Sequence, residues 1–174
     1  ICEGDSFTVG DALVTNSAGI LWTHNGSGAI TDATTLTPTY TPVAADGGNV
    51  VTLTLTVSGN GSCVAAVDTK AITVTDAPTA DAGVSAEICE GDSFTVGDAL
   101  VTNSAGILWT HDGSGTITAG TETTISPQYN SVAADAGNVV TLTLTVSGNG
   151  SCLDAVDTKA VTVKSLPTTA NAGN

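Results

Sequence analysis

Apolar and polar residues alternate without a break from Val51 to Ser58 within Asn49-Val-Val-Thr-Leu-Thr-Leu-Thr-Val-Ser-Gly-Asn-Gly-Ser-Cys63, and the same letters return from Asn138 to Cys152. Val51, Leu53, Leu55 and Val57 fall on one face and Thr52, Thr54 and Thr56 on the other, the period-two pattern of a strand with one wall in a core and one in water. Ser58-Gly59-Asn60-Gly61 then offers the residues that tolerate positive φ, so an antiparallel strand is expected to follow.

The duplication runs through the whole chain. Ile1-Cys-Glu-Gly-Asp-Ser-Phe7 returns as Ile88 to Phe94, and up to Thr31 the second copy changes only Asn25 to Asp112 and Ala29 to Thr116. Two copies of one domain are therefore expected, residues 1–77 and 88–166, with Pro78 to Glu87 as a linker of small residues and 167–174 as the start of a further linker. Each copy is large enough for one modest core, near the size at which a covalent staple helps.

Within a copy, Ser6–Val9 reads as a first strand with Phe7 and Val9 inward, and Ala12–Thr15 as a short second one. Gly19–His24 is a third, placing Ile20, Trp22 and His24 on one face, and Asn25-Gly-Ser-Gly28 turns the chain toward a short return at Ala29-Ile30. Leu36, Pro38, Tyr40 and Pro42 alternate with threonines; because proline cannot donate to a ladder, this segment is expected at a sheet edge. Val43–Gly48 forms a corner, and Ala71–Thr75 reads as the last strand. Seven or so short strands with no helical period predict an all-β fold: two tandem antiparallel β-sandwiches of immunoglobulin-like type.

The tryptophan of the third strand, the Asp46-x-Gly48 and Asp135-x-Gly137 corners and the long Thr-rich strand with its Asn-Gly-Ser-Cys turn resemble immunoglobulin-like and PKD-like repeats. More narrowly, Ile-Cys-Glu-Gly-Asp-Ser-Phe, Ile-Leu-Trp-Thr and Pro-x-Tyr-x-x-Val-Ala-Ala-Asp resemble tandem repeats in giant surface adhesins of gliding bacteria that use type IX secretion. The resemblance covers both copies and implies an extracellular stalk or adhesive fibre. Two features depart from it: the tyrosine expected just after the corner is Val50 or Val139, and the cysteines are not spaced like an antibody domain's inter-sheet pair.

Cys2 precedes the first strand and Cys63 follows the hairpin turn. First and last strands of such sandwiches often run parallel, which leads us to pair Cys2 with Cys63 and Cys89 with Cys152, although four cysteines allow three pairings. Closing a loop of about sixty residues would contribute roughly 4 kcal/mol. A disulfide needs an oxidising compartment, so the expected location is extracellular or at the cell surface.

Charge changes the picture in one respect. Lys and Arg total 3 against 17 Asp and Glu, a net charge of −14, yet charged residues are only 11% of the chain. Thr, Ser, Asn and Gly must cover the surface, and nucleic acid or anionic membrane would be repelled. No run of about eighteen apolar residues occurs, so no segment is expected to insert in a membrane. The chain begins without Met or a signal sequence and ends in Pro167-Thr-Thr-Ala-Asn-Ala-Gly-Asn174, resembling the segment after Pro78; we expect an excerpt of a longer array.

Candidate chemistry is sparse. Asp76, Asp81, Glu87, Glu90 and Asp92 gather around the linker in sequence, and hard oxygen ligands make calcium the one candidate cofactor. His24 and His111 read as strand-end histidines beside a core aromatic, and no spacing sets a nucleophile beside an oriented base, so no enzyme is expected. Lys70 and Lys159 are candidates for isopeptide bonds. Asn25, Asn60 and Asn149 match the glycosylation pattern but also suit their turns. The threonine wall suits an exposed strand better than an ice lattice. The expected role is a non-catalytic stalk of a secreted surface adhesin or fibre whose partners are neighbouring repeats. Alternatives are a subunit of a self-assembling filament of copies of itself, and a repeat binding surface polysaccharide weakly through avidity.

Overall fold

The computed structural model describes residues 1–167 and 170, and the chain divides into two compact units. The segment 167–174, expected as the start of a linker, lies outside the described residues except for Pro167 and Ala170. The first unit comprises Ile1–Ala77 together with Asn149–Cys152; the second comprises Pro78–Gly148 and Leu153–Asn174. Both are all-β, and each packs mainly antiparallel sheets around its own apolar core.

In the first unit, β1 (Phe7–Thr8), β2 (Ser17–His24), β3 (Ala29–Thr31), β4 (Thr39–Thr41), β5 (Val50–Gly59) and β6 (Ala66–Thr73) follow in order. One sheet has the order β1-β4-β3 and the other β2-β5-β6. The apolar face of β5 meets Trp22 of β2, and Val9, Trp22, Tyr40, Val51, Leu53, Leu55, Ile72 and Val74 form the core. The proline-flanked segment corrects our expectation of an edge, because β4 is the central strand of its sheet. Its prolines bracket the ladder instead of interrupting it, and Pro38 still accepts a backbone bond from Val9 at 3.0 Å.

The last strand also differs from the expected Ala71–Thr75. It starts at Ala66, and its first half carries no inward apolar residue for a pattern to reveal; what holds it is backbone pairing with β5, from Val57↔Ala66 to Val50↔Thr73.

The second unit contains β7 (Thr79–Asp81), β8 (Ala86–Cys89), β9 (Ser93–Thr95), β10 (Leu100–Thr102), β11 (Gly106–His111), β12 (Thr116–Ile117), β13 (Gln128–Asn130), β14 (Val139–Ser147) and β15 (Ala155–Lys164). Its main sheet has the order β11-β14-β15-β8, with β12-β13-β9 and the pair β10-β7 completing it. Residues 78–87 are thus not the linker we expected. β7 pairs antiparallel with β10, β8 pairs parallel with β15, and Ala82 is fully buried in the core. Small alanines hid this role, since they lack the bulk that marks a core strand while still filling a narrow gap between sheets.

The consequence shows in the Ala12–Thr15 segment, expected as a strand. It is no strand in the first unit, where Leu13 is 89% exposed, whereas the equivalent Leu100–Thr102 is one because β7 supplies its partner.

Candidate functional site

The corner of each copy is built around a buried carboxylate. In the first, Tyr40 donates to Asp46 Oδ2 at 2.7 Å, Val43 N–H donates to the same oxygen at 3.1 Å, and Ser27 N–H donates to Oδ1 at 2.6 Å. The tyrosine oxygen in turn accepts from Gly28 N–H at 3.0 Å. In the second, Tyr129, Val132, Ser114 and Gly115 repeat the arrangement around Asp135 at 2.7, 3.1, 2.6 and 2.9 Å. Burial works to raise the Asp46 carboxyl, but the donors from Ser27, Tyr40 and Val43 outweigh it and hold the group below its ordinary value. Burial, with the Asp135 carboxylate beside it, pushes the Tyr129 phenol up to about 12.

Alternation set Tyr40 on one face with Leu36, Pro38 and Pro42 but did not reveal this bond, because a tyrosine was expected after the corner and stands before it. The Asn-Gly-Ser-Gly turn is part of the same lock. A Cβ on Gly26 or Gly28 would overlap the Tyr40 hydroxyl or the Thr41 carbonyl.

His24 and His111 lie against these tyrosines, ring centroids 4.9 and 5.0 Å apart, with Nδ1 buried and unbonded in both. Lys70 pairs with Asp11 at 2.8 Å and Lys159 with Asp98 at 2.6 Å, so each ammonium faces a carboxylate. The Lys159 side chain is 2% exposed against 33% for Lys70. The Asn25 side chain accepts from Thr52 N–H and that of Asn60 donates to Asn16, as turn residues do.

The expected calcium residues are taken up locally. Asp81 accepts from Gly83 N–H, Asp92 from Cys89 N–H, and Glu87 pairs with Lys164 at 3.2 Å. Among the described residues no group of three or more His, Cys, Asp or Glu is arranged to hold a metal ion, so Asp76, Asp81, Glu87, Glu90 and Asp92, which gather around the linker in sequence, are not brought together as such a group. Strand pairing fixes β7 and β8 along different neighbours, which spreads carboxylates that are close in sequence.

The cysteines correct a second expectation. Cys2 is bonded to Cys152, both within the first compact unit, with their Cα atoms 4.9 Å apart, while Cys63 and Cys89 are free and exposed. The start of each copy does run parallel to its last strand, but it meets the far end. Cys2 bridges to Thr75, and Cys89 pairs with Lys164. β6 alone, Ala66–Thr73, covers roughly 23 Å, and Cys63 precedes it while Cys2 bridges beyond its end at Thr75, so the two lie at opposite ends of the strand, well beyond the ~7 Å that a disulfide can span. The observed bond spans 150 residues of sequence and removes about 5 kcal/mol of unfolded-chain entropy.

No protein-family model matches the chain, and no curated protein sequence matches it either. Solved structures do. The three N-terminal domains of the bacteriophage RB49 highly immunogenic outer capsid protein (Hoc) align with a TM-score of 0.50 at 12% identity, over 96% of this chain and 66% of that one. Domains EC1–4 of Drosophila N-cadherin align at 0.49 and 16%, over 85% and 41%, and the four N-terminal immunoglobulin domains of Dscam1 isoform 6.9 at 0.44 and 12%, over 95% and 42%. The chain spans from 24% to 66% of the length of the first four such structures. The likeness to the Hoc domains is one of fold, and with the sheet topology above it this chain is a tandem of immunoglobulin-like β-sandwiches.

Proposed function

We propose that the chain is a non-catalytic structural repeat region of a secreted cell-surface adhesin or fibre, of the kind its sequence resembles in gliding, type IX-secreting bacteria. The observation that carries the reading is the Cys2–Cys152 cystine, since such a bond persists where no cytoplasmic reductant reaches it. Further support comes from how the polar groups are spent. Asp46 and Asp135 accept from backbone N–H groups of their own corners and from the Tyr40 and Tyr129 hydroxyls, which stiffens each domain and commits these four side chains to the fold. Thr-rich strand faces and an acidic surface keep neighbouring copies soluble.

Antibody labelling of intact, unpermeabilised cells tests the location. Surface signal that disappears on brief protease treatment is expected; signal seen only after permeabilisation would overturn the proposal.

A further inference from the structure

Each copy carries two kinds of cysteine. The start cysteines, Cys2 and Cys89, share one backbone setting: Glu3 N–H bonds Thr75 O and Glu90 N–H bonds Lys164 O, both at 2.9 Å, and Gly4 and Gly91 follow at φ 83° and 81°. The turn cysteines, Cys63 and Cys152, share another. Their N–H groups bond Asn60 O and Asn149 O, both at 3.1 Å, around Gly61 and Gly150, both at φ 62°. One start cysteine and one turn cysteine are joined, and both are buried, at 5% and 8% exposure. The remaining start cysteine and turn cysteine have the same local shapes and stand open to solvent.

We propose that Cys89 and Cys63 are the two open halves of the same linkage, each taking the complementary cysteine of another copy of the repeat. Cys89 bonds the turn cysteine of a following copy, and Cys63 bonds the start cysteine of a preceding one. The pairing rule is start to turn, one copy onward, as Cys2 and Cys152 exhibit. It cannot be satisfied inside one copy, because the two cysteine types sit at opposite ends of the last strand. An array built this way carries one cystine per junction and is held by covalent bonds in series.

The chemistry requires an oxidant of the disulfide class, such as oxidised glutathione or a thiol oxidoreductase. One protein thiolate attacks its S–S bond and releases a thiolate; the second cysteine attacks the mixed disulfide and releases the other. One protein disulfide forms, the two protein thiols give up two protons and two electrons, and the oxidant leaves as two thiols.

The test has two arms. In the first, two copies of the full chain are fused through a copy of Ser85–Glu87, oxidised with glutathione disulfide, and their thiols counted after denaturation. The expected count is two per fusion, as for the single chain, with peptide mapping linking Cys89 of the first copy to Cys63 of the second. In the second arm, Cys63→Ser and Cys89→Ser chains are mixed, one of them isotopically labelled, and oxidised. A mixed dimer exceeding its statistical half share shows that a separate chain also supplies the partner; a fused chain that links while mixed chains do not assigns the partner to the same chain. Both substituted positions are exposed and unbonded, so folding is not at stake. Four thiols in the fusion together with no excess of mixed dimer would overturn the linkage, and so would a map showing Cys2–Cys63 or Cys89–Cys152. The inference rests on the tandem-repeat reading; thiol counts of this kind alongside intact surface labelling would sink the linkage and leave the adhesin proposal standing.

Discussion

Tyr40 donates a hydrogen bond from its hydroxyl to Asp46 across the corner that joins the two sheets of the first unit, and Tyr129 does the same for Asp135 in the second, both at 2.7 Å. A buried carboxylate with three donors is stable; with one removed, the remaining charge is under-solvated. Tyr40→Phe and Tyr129→Phe should each cost about 1.5–3 kcal/mol in denaturant unfolding of the affected unit, and Asp46→Ala more, since it strands the Ser27 and Val43 N–H groups as well. Loss of less than about 0.5 kcal/mol in the Phe variants would show that the corner is held by packing alone.

Stability should fall at both ends of the pH scale. Asp46 and Asp135 sit below the ordinary carboxylate value when folded, so the stability they contribute is present above the unfolded value, near 3.8, and is lost as pH falls through the lowered folded values. Tyr129 has the opposite sign. Its folded value near 12 lies above the ordinary 10.0, so its contribution is complete below about pH 10 and is lost as pH rises toward 12. Melting temperature against pH should decline on both sides, and Tyr129→Phe should weaken the alkaline decline.

Gly26→Ala and Gly113→Ala place a methyl group on the tyrosine hydroxyl of their own copy and should destabilise by roughly 2 kcal/mol or more. Gly10→Ala and Gly97→Ala, with open space at the Cβ position and no positive φ, should be close to neutral. Thermal shifts of the four variants provide the comparison.

The two copies should answer differently to one substitution. Asp157 accepts from Ala82 N–H at 2.7 Å, while the equivalent Asp68 bonds only the N–H of its neighbour Thr69. Asp157→Ala should therefore cost about 1–2 kcal/mol, and Asp68→Ala less than about 0.5 kcal/mol. Equal losses in chemical unfolding would mean that residues 78–82 add little to the second unit.

Cys2→Ser and Cys152→Ser should each lower stability by about 2–5 kcal/mol and remove the response to reductant. Cys63→Ser and Cys89→Ser, studied as single chains under reducing conditions, should match the parent. Paired denaturation curves with and without dithiothreitol separate these outcomes.

Alternation alone determined much of this protein. Val51, Leu53, Leu55, Ile20 and Trp22 occupy the inward faces that their spacing assigns, because a period of two leaves each residue only one choice of side. The duplication likewise marked two units of one all-β class. Pairing over distance was not legible. Nothing local in Ala80 and Ala82 shows that they complete a core, since their contribution depends on a gap formed by strands far along the chain. Nor does the spacing of Asp81 and Glu87 reveal that they stand in separate ladders, one paired with β10 and the other with β15.

The cysteines make the same division in its sharpest form. Their positions marked a cysteine before the first strand and one after the hairpin turn, and sandwiches of this type led us to expect a first strand parallel to the last, but which end of the last strand Cys2 meets is a matter of register, and register is set by backbone ladders and core packing over the whole sheet. A shift of one strand length turns a bond within a copy into a bond from one copy's start to the next copy's turn, and only the tertiary structure decides between them.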